Sequence, residues 1–384
     1  MANDLAQRAP DYIRAIAPYQ GGRPIGEIAR RFGFREDQIV KLASNENPLG
    51  MSPKARQAML EASQDLGRYP DGNGFELKQA IAKKFGLPEN TITLGNGSND
   101  ILELVAHTFL KPGVESVYSD HSFAVYALAT QAVGGQSVVV PADPKTLGND
   151  LSALAAAVTP NTGVIWLANP NNPTGSFLPG AEIRAFLKDL PVSVLLVLDE
   201  AYTEFLSPAD RYNAFDWITD APNLLISRSF SKAYGLAGLR VGYGVAHPDV
   251  TDLLNRVRQP FNVNSLAQAA ATAALFDEDF LKTSYDCNQA GLVQLTKGLE
   301  ALGLGVMPSR GNFVLVDLST RQPNAKPSDA LGSKVFDALL AKGVITRPVG
   351  NYGLPNHLRV SIGTAAENEA FLKAMGQVAE TLWP

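Results

Sequence analysis

Short segments rich in β-branched residues alternate with amphipathic stretches of helical length between about residue 90 and residue 250. The strand candidates, in chain order, are TITLG, SVYSD, QSVVV, VIWLAN, VLLVLD and NLLIS. Parallel strands need a crossover between them, usually a helix, so this alternation indicates an α/β fold with helices on both faces of the sheet. We therefore predict a large three-layer α/β/α domain with a mixed, mostly parallel sheet.

The segment VSVLLVLD is almost continuously apolar up to its terminal Asp199. Strands that are covered by helices on both faces have this pattern, so we place the segment at the centre of the sheet. In open α/β sheets, ligands bind beyond the carboxyl ends of the strands. The chemistry of this chain should therefore lie near Asp199.

The chain has 384 residues, too many for one ordinary core, and its pattern changes after residue 275. A long helical stretch there precedes the strand candidates NFVLVD, GVITRP and HLRVSIG, with helices near Val335 and from Glu367. The N-terminal residues are rich in Pro and Gly and resemble a packing arm. We predict an arm over residues 1–50 that packs on the small domain and a partner subunit, a large domain over 51–275, and a small α+β domain over 276–384.

Composition disfavours several classes of function. A net charge of −5 offers no basic field to nucleic acid. Cys287 is the single cysteine, so no disulfide can form within the chain, which suits a reducing cytoplasm. The N-terminal segment lacks a signal-peptide core, and the longest aliphatic stretch, residues 194–198, is strand-sized. We expect a cytoplasmic protein without a membrane span, a nucleic-acid partner or a metal site.

The segment LGNGSND, residues 94–100, joins a strand candidate to a helix candidate. Its glycines let the backbone approach an anion, and a helix N-terminus presents free N–H groups, so a phosphate can bind here. A plain turn with Ser98 as the helix N-cap explains the same letters equally well. A dinucleotide fingerprint would need glycine in place of Asp100, and no GxxxxGK[ST] phosphate loop occurs in the chain.

Two other polar positions follow strand candidates. Asn172 lies in NPNNPTG, residues 169–175, where two prolines make a rigid turn, although an ordinary strand-to-helix turn is the simpler explanation. Asp199 ends the central strand, and a carboxylate in that position needs a cationic or hydrogen-bonding partner. A magnesium ion would require the missing phosphate loop, so a protonated ring nitrogen is the better partner.

Lys232 lies among small and aromatic residues in SFSKAYGLAGLRVG, residues 229–242. Such surroundings desolvate an amine and lower its pKa, as a nucleophilic lysine requires. Arg240 follows a glycine-rich turn and can pair with a phosphate, to which Ser229 and Ser231 add hydroxyl donors. Each residue alone could be an ordinary surface or turn residue, but their concentration in one segment favours a functional site.

In chain order, the glycine-rich turn, Asn172, Asp199 with Tyr202, and SFSKAYGLAGLR together resemble the fold-type-I pyridoxal-phosphate-dependent aminotransferases. The resemblance runs over nearly the whole chain. Within that superfamily it is closest to the histidinol-phosphate aminotransferases, on the segments PYQGGRP (18–24), KLASNENPLG (41–50), RYPDG (68–72), GVITRP (343–348) and LRVSIGT (358–364).

The resemblance implies roles for the matching residues. Lys232 would form a Schiff base with pyridoxal 5'-phosphate, Asp199 would hold the ring nitrogen protonated, and Phe123 would stack on the ring. Asn172 and Tyr202 would bond the 3'-oxygen. The cofactor phosphate would be bound by Gly97, Ser98, Asn99, Ser229, Ser231 and Arg240, joined by Tyr69 from the second subunit of a homodimer. Substrate anions would be bound by Tyr19, Arg347 and Arg359.

The implied reaction converts L-histidinol phosphate and 2-oxoglutarate to imidazole acetol phosphate and glutamate, in histidine biosynthesis. Three other functions stay open from the sequence alone. An aromatic amino-acid aminotransferase is one, because an apolar pocket discriminates weakly between imidazole and benzene rings. A threonine-phosphate decarboxylase-like enzyme is another, since no spacing fixes which substrate bond breaks. A binding protein of the same fold without turnover is the third, and the presence of Lys232 disfavours it.

Overall fold

The helices and strands of the computed structural model are described over residues 2–18 and 21–383. The strands are β1 (Val40–Lys41), β2 (Ile92–Gly95), β3 (Glu115–Ser119), β4 (Gln136–Val140), β5 (Thr162–Ala168), β6 (Leu195–Asp199), β7 (Leu224–Ser229), β8 (Gly242–Ala246), β9 (Gly305–Met307), β10 (Phe313–Asp317), β11 (Val344–Ile345), β12 (Arg347–Val349) and β13 (Leu354–Ser361). The α-helices are α1 (Ala2–Gln7), α2 (Asp11–Arg14), α3 (Ile25–Phe32), α4 (Pro53–Ala62), α5 (Phe75–Phe85), α6 (Ser98–Phe109), α7 (Val125–Ala132), α8 (Leu151–Ala156), α9 (Gly180–Asp189), α10 (Pro248–Val257), α11 (Ser265–Ala274), α12 (Glu278–Ala301), α13 (Leu331–Leu340) and α14 (Ala365–Leu382).

The large sheet has seven strands in the order β2-β8-β7-β6-β5-β3-β4. Strands β3 to β7 pair in parallel, whereas β8 is antiparallel to both β2 and β7. Strand β6 lies in the middle and is buried on both faces, with Leu196 and Leu198 in one hydrophobic cluster and Leu195 and Val197 in another. The predicted three-layer α/β/α arrangement, with a mixed and mostly parallel sheet, is confirmed.

All six strand candidates of the alternating region form strands, but the pattern did not reveal β8. Its sequence, GYGVA, contains two glycines, which have low β-propensity, and no α-helix separates it from β7. The candidate GVITRP is two strands instead of one. Its first half, β11, pairs in parallel with β1, and its second half, β12, pairs with β13.

A second sheet, in the order β12-β13-β10-β9, is antiparallel throughout. Helices α12, α13 and α14 supply Leu295, Val335 and Phe371 to the core that covers it. The division of the chain at residues 50 and 275 stays a prediction. Across residues 2–18 and 21–383, no helix combines the length and apolarity needed to cross a membrane.

The last helix, α14, begins at Ala365, two residues before the predicted start, because Thr364 caps it. The Thr364 hydroxyl accepts a hydrogen bond from the Glu367 backbone N–H, and the Glu367 carboxylate accepts one from the Thr364 N–H. This reciprocal pair is a capping box, which fixes the first turn of the helix.

The strand directions bring the predicted site residues to one edge of the large sheet. Strands β5, β6 and β7 are parallel, so their carboxyl ends lie at the same edge. Strand β2 runs antiparallel to β8, which is antiparallel to β7, so the turn after β2 reaches that edge too. The glycine-rich turn, Asn172, Asp199 and Lys232 each follow or end one of these strands.

Candidate active site

A cavity of about 250 Å3 lies at this edge of the large sheet. Most of the predicted site residues line it: Ser98, Asn99, Phe123, Asn172, Asp199, Tyr202, Ser229, Ser231, Lys232, Arg240, Arg347 and Arg359. A wider cleft of about 1170 Å3 adjoins the cavity and shares Phe123, Arg347 and Tyr352 with it. The cavity therefore has an approach wide enough for a substrate.

Asp199 is a buried carboxylate at the end of β6, only 6% exposed. Its Oδ2 accepts a hydrogen bond from the Tyr126 hydroxyl at 2.9 Å, and its Oδ1 accepts one from the Ala201 N–H at 3.3 Å. Burial raises the pKa of Asp199 to about 6, while these two donors oppose the rise. Asp199 is thus paired as expected, but with hydrogen-bond donors.

Lys232 is half-buried, and its Nζ donates to the Ser44 carbonyl oxygen at 3.2 Å. Desolvation, followed by the positive charges of Arg359 and Arg240, lowers the pKa of the amine, and Glu46 and Asp199 raise it; the net result is a pKa of about 8. The lowered pKa has the direction that the sequence predicts for a nucleophilic lysine. Near neutral pH a minority of Lys232, roughly one tenth at pH 7, is therefore an unprotonated nucleophile.

The glycine-rich turn forms a cradle with Arg240. Gly97 is the N-cap of α6, with φ 84° and ψ 166°, so Ser98 is the first helical residue and not the cap. A Cβ built on Gly97 would lie 2.3 Å from Nη2 of Arg240, and one on Gly242 would lie 2.5 Å from the Ser98 nitrogen. Only glycine lets the guanidinium and the helix N-terminus approach this closely, which suits a bound anion.

Arg240 is held in place by its own chain. Its Nη1 donates to the Ser231 hydroxyl and to the Ala237 carbonyl, each at 3.2 Å, and the Ser231 N–H donates to the Ser229 hydroxyl at 3.0 Å. The guanidinium and both hydroxyls line the cavity. The local segment thus brings a guanidinium and two hydroxyl groups to one cavity; their binding of a phosphate stays a prediction.

The opposite wall of the cavity is built around Arg359, which is 6% exposed. Its Nη1 donates to Oδ1 of Asn172, and its Nη2 donates to the Ala43 carbonyl at 2.6 Å. The hydroxyl of Tyr202 accepts a hydrogen bond from Nδ2 of Asn45 at 3.0 Å, and burial raises the pKa of Tyr202 to about 12. Tyr202 therefore stays protonated and can donate to a ligand oxygen.

Tyr69 stands apart from this cavity. Tyr69 does not line the cavity of its own chain; its side chain is 82% exposed and stacks on Phe261 with ring centroids 4.8 Å apart. Tyr19 lies outside the described residues.

Among the residues in or beside the cavity that were not predicted are Asn45, Tyr126 and Tyr352. Asn45 is fully buried and positions Tyr202, and its φ of 54° is unusual for a residue other than glycine. The run of four polar residues SNEN (44–47) gave the only sequence signal, since Asn tolerates a left-handed backbone. Tyr126 and Tyr352 gave none.

Comparison with known proteins gives a consistent result. The family model for aminotransferase class I and II matches residues 37–375. Histidinol-phosphate aminotransferase 2 of Ralstonia nicotianae is 58% identical over 96% of each chain, and histidinol-phosphate aminotransferase 1 of Cupriavidus pinatubonensis is 56% identical over 95% of each. The crystal structure of histidinol-phosphate aminotransferase from Sinorhizobium meliloti in complex with pyridoxal-5'-phosphate matches with a TM-score of 0.86 at 30% identity, covering 98% of each chain. The chain belongs to the class I and II aminotransferases and, within them, to the histidinol-phosphate aminotransferase family.

Proposed function

We propose that this protein is a pyridoxal-phosphate-dependent aminotransferase that exchanges the amino group of L-histidinol phosphate with 2-oxoglutarate, as in histidine biosynthesis. The observation that carries the proposal is the meeting, in one cavity, of a lysine amine, a buried carboxylate and a glycine-arginine cradle. The activity named for the Ralstonia and Cupriavidus relatives selects the substrate.

The residues present fit the parts of the proposed cofactor. The cradle of Gly97 and Arg240, which any Cβ at Gly97 would fill, suits a phosphate group. The buried carboxylate of Asp199 suits a protonated ring nitrogen, because a cation would offset the cost of its burial. The amine of Lys232 suits an aldehyde carbon. Asn172 and Tyr202 would meet a ring oxygen.

When bound, pyridoxal phosphate supplies a cationic ring that takes up the negative charge left on the substrate α-carbon when a proton leaves it. Lys232 handles that proton: its Nζ, with a pKa of about 8, can accept a proton from carbon and release it again near neutral pH. Asp199 keeps a negative charge in a site shielded from water, where it would hold the ring nitrogen in its protonated, cationic form.

Arg347 and Arg359 would bind the substrate anions. Both line the cavity, and Arg347 also lines the wider cleft, so the pair spans the route by which a substrate enters. A guanidinium accepts a phosphate or a carboxylate in the same two-pronged geometry. One pair could therefore serve histidinol phosphate in one half-reaction and glutamate in the other.

A purified-protein assay tests the function. We expect kcat/KM for L-histidinol phosphate to exceed that for phenylalanine and tyrosine, and Lys232→Ala to abolish both transamination and the visible absorption of the bound cofactor. Lys111→Ala, which removes an exposed lysine, is the matched control and should leave both intact. A higher kcat/KM for either aromatic amino acid would overturn the substrate assignment.

We also infer a homodimer in which Tyr69 reaches the cavity of the partner subunit. The exposure of Tyr69 supports this, as do Leu60, Leu66 and Phe75, which are all at least half exposed on the same stretch of chain. Apolar side chains concentrated on a surface in this way mark an interaction site.

Mixing inactive subunits tests the dimer. A Lys232→Ala chain keeps Tyr69, and a Tyr69→Ala chain keeps Lys232, so a mixed dimer of the two would contain one complete site. Co-expression should therefore restore activity that neither variant has alone. Two variants that form mixed dimers without any recovery of activity would contradict a shared site.

A further inference from the structure

Tyr126 is a buried tyrosine whose hydroxyl meets the carboxylate proposed to act on the cofactor. We propose that Tyr126 is a positioning residue that keeps Asp199 ionised and fixes its orientation. The inference rests on the proposed function for its catalytic meaning, but the bond itself belongs to the protein alone. No motif in the sequence marked this residue.

The geometry of the bond is well defined. Tyr126 lies in the first turn of α7, is 0% exposed, and donates from Oη to Oδ2 of Asp199 over 2.9 Å. The ring is stacked on Trp166 of β5, with centroids 5.4 Å apart and planes 3° from parallel. A ring held by such stacking has little freedom, so its hydroxyl delivers the hydrogen bond in one direction.

The direction of the proton favours an ionised Asp199. Burial, with the negative charge of Asp199 beside it, raises the pKa of Tyr126 well above its ordinary value, so the phenol keeps its proton and donates it. A hydrogen bond to the charged form of a carboxyl group stabilises that form. Tyr126 therefore opposes the tendency of burial to protonate Asp199.

The other charged groups near Asp199 do not replace this bond. Glu200, the next residue, disfavours the charge on Asp199, whereas the Lys232 ammonium favours it. Tyr202 is a neutral phenol at the pH of interest. The charge of Glu200 is itself balanced by Arg228, whose Nη2 and Nε lie 2.7 and 3.0 Å from the same carboxylate oxygen. Lys232 releases its proton during the proposed reaction, which leaves the tyrosine hydroxyl as the constant side-chain donor.

Tyr126 also links the carboxylate to the wall of the cavity. Phe123, which lines the cavity, packs edge-on against the Tyr126 ring with centroids 5.9 Å apart and planes 89° apart. The same turn of chain therefore supports Phe123 and Asp199. A structural role in packing and an electrostatic role in charge are separable, because only the second needs the hydroxyl.

Tyr126→Phe removes the hydroxyl and retains the stacked ring. The titration of Asp199 is followed in the cofactor-free protein by comparing the unfolding free energies of chains with and without Asp199→Asn. Their difference should change with pH until Asp199 is fully ionised. Losing a hydrogen bond to a charged acceptor should move that end point upward by roughly 1 to 2 pH units. In the holoenzyme, kcat should fall more than KM changes, with a matching shift in its pH profile.

Tyr243→Phe is the matched control, since Tyr243 is 1% exposed and packs in the cluster on the opposite face of the sheet. It should leave the titration of Asp199 unchanged. If Tyr126→Phe does not fold, 3-fluorotyrosine placed at position 126 keeps the ring and makes the hydroxyl a stronger donor, so the end point should move downward.

An unchanged titration of Asp199 in Tyr126→Phe, or in the fluorinated protein, overturns the positioning role. That result would leave the proposed function intact, because the titration is measured without cofactor. Conversely, a shifted titration in a protein that transaminates neither histidinol phosphate nor aromatic amino acids would support the role of Tyr126 and count against the proposed function.

Discussion

Replacing Gly97 by alanine should weaken cofactor binding through Arg240. The new Cβ would lie 2.3 Å from Nη2, 2.9 Å from Cζ and 3.4 Å from Nη1 of that arginine, and heavy atoms do not approach a methyl group so closely. The guanidinium has to move. In doing so it leaves the Ser231 hydroxyl, to which Nη1 now donates over 3.2 Å.

Two costs contribute to the expected magnitude. Gly97 has φ 84° and ψ 166°, a region that essentially only glycine occupies, so alanine costs about 1–3 kcal/mol of folding stability. A hydrogen bond between charged groups contributes about 1.5–3 kcal/mol, so loss of the contact between Arg240 and the phosphate should raise the Kd for pyridoxal phosphate roughly 10- to 150-fold. The first cost concerns the fold and the second concerns the ligand.

Gly113→Ala separates the two costs. Gly113 also has a positive φ, 87°, but a Cβ there would meet no atom within 4 Å. Titration of the cofactor-free proteins with pyridoxal phosphate, followed by absorbance, should therefore show weakened binding for Gly97→Ala and unchanged binding for Gly113→Ala. Urea unfolding should show a loss of stability in both.

A double-mutant cycle decides whether the effect acts through the arginine. In an Arg240→Ala background the clash is absent, so adding Gly97→Ala should weaken binding much less than it does in the natural chain. An equal loss of cofactor affinity in the two backgrounds would refute the proposal that Gly97 acts by leaving room for Arg240. Wild-type affinity in Gly97→Ala would refute it as well.

Three further predictions follow from buried charges. The rate at which pyridoxal phosphate attaches to the cofactor-free protein should rise with pH around a midpoint of about 8, set by Lys232, and a midpoint near 10.4 would contradict this. Asp199→Asn should stabilise the cofactor-free protein to urea at pH 7.5 by up to about 3 kcal/mol. The folded-state pKa of Asp199, about 6, lies above the unfolded value, so the natural chain loses stability as pH rises from about 4 to 6. The stability gained by Asp199→Asn should therefore vanish near pH 4. A gain that does not depend on pH would exclude the ionisation of Asp199 as its cause. Arg228→Met should lower the free energy of unfolding by about 3–5 kcal/mol, because it leaves the fully buried Glu200 without a cation. The double variant Arg228→Met, Glu200→Met should lose much less stability. Equal losses in urea unfolding would show that the two residues do not stabilise the fold as an ion pair.

The fold was largely predictable from periodicity, and its exceptions have physical causes. Strands β3 to β7 are apolar segments separated by α-helices or, between β6 and β7, by a long connection with short 3-10 helices, so each carries its own signal. Strand β8 was missed because GYGVA has no apolar–polar alternation, is rich in glycine and lies close behind β7 with no α-helix between them. Strands β1 and β11 have two residues each and exist through their mutual pairing, which joins Val40 to Val344. A strand of that length has no local pattern, and only the tertiary structure defines it.

The sequence predicted the site most completely where the contributing residues are close together in the chain. Ser229, Ser231, Lys232 and Arg240 lie within twelve residues, and the fold brings their side chains to one cavity. The charge state of the site depends on distant residues instead. Tyr126 precedes Asp199 by 73 residues, and Ser44, which accepts the hydrogen bond of Lys232, precedes that lysine by 188.

This division has a physical origin. A strand end and its turn can present several groups to one ligand, so ligand contacts cluster in the sequence. The pKa of a group depends instead on everything that surrounds it, and helices and loops from other parts of the chain supply those neighbours. Motifs could therefore assign Asp199 a partner on the cofactor. They could not identify the Tyr126 hydroxyl, whose hydrogen bond opposes the effect of burial on the pKa of Asp199. Only the structure identifies the residues, distant in sequence, that determine the ionisation of the predicted site residues.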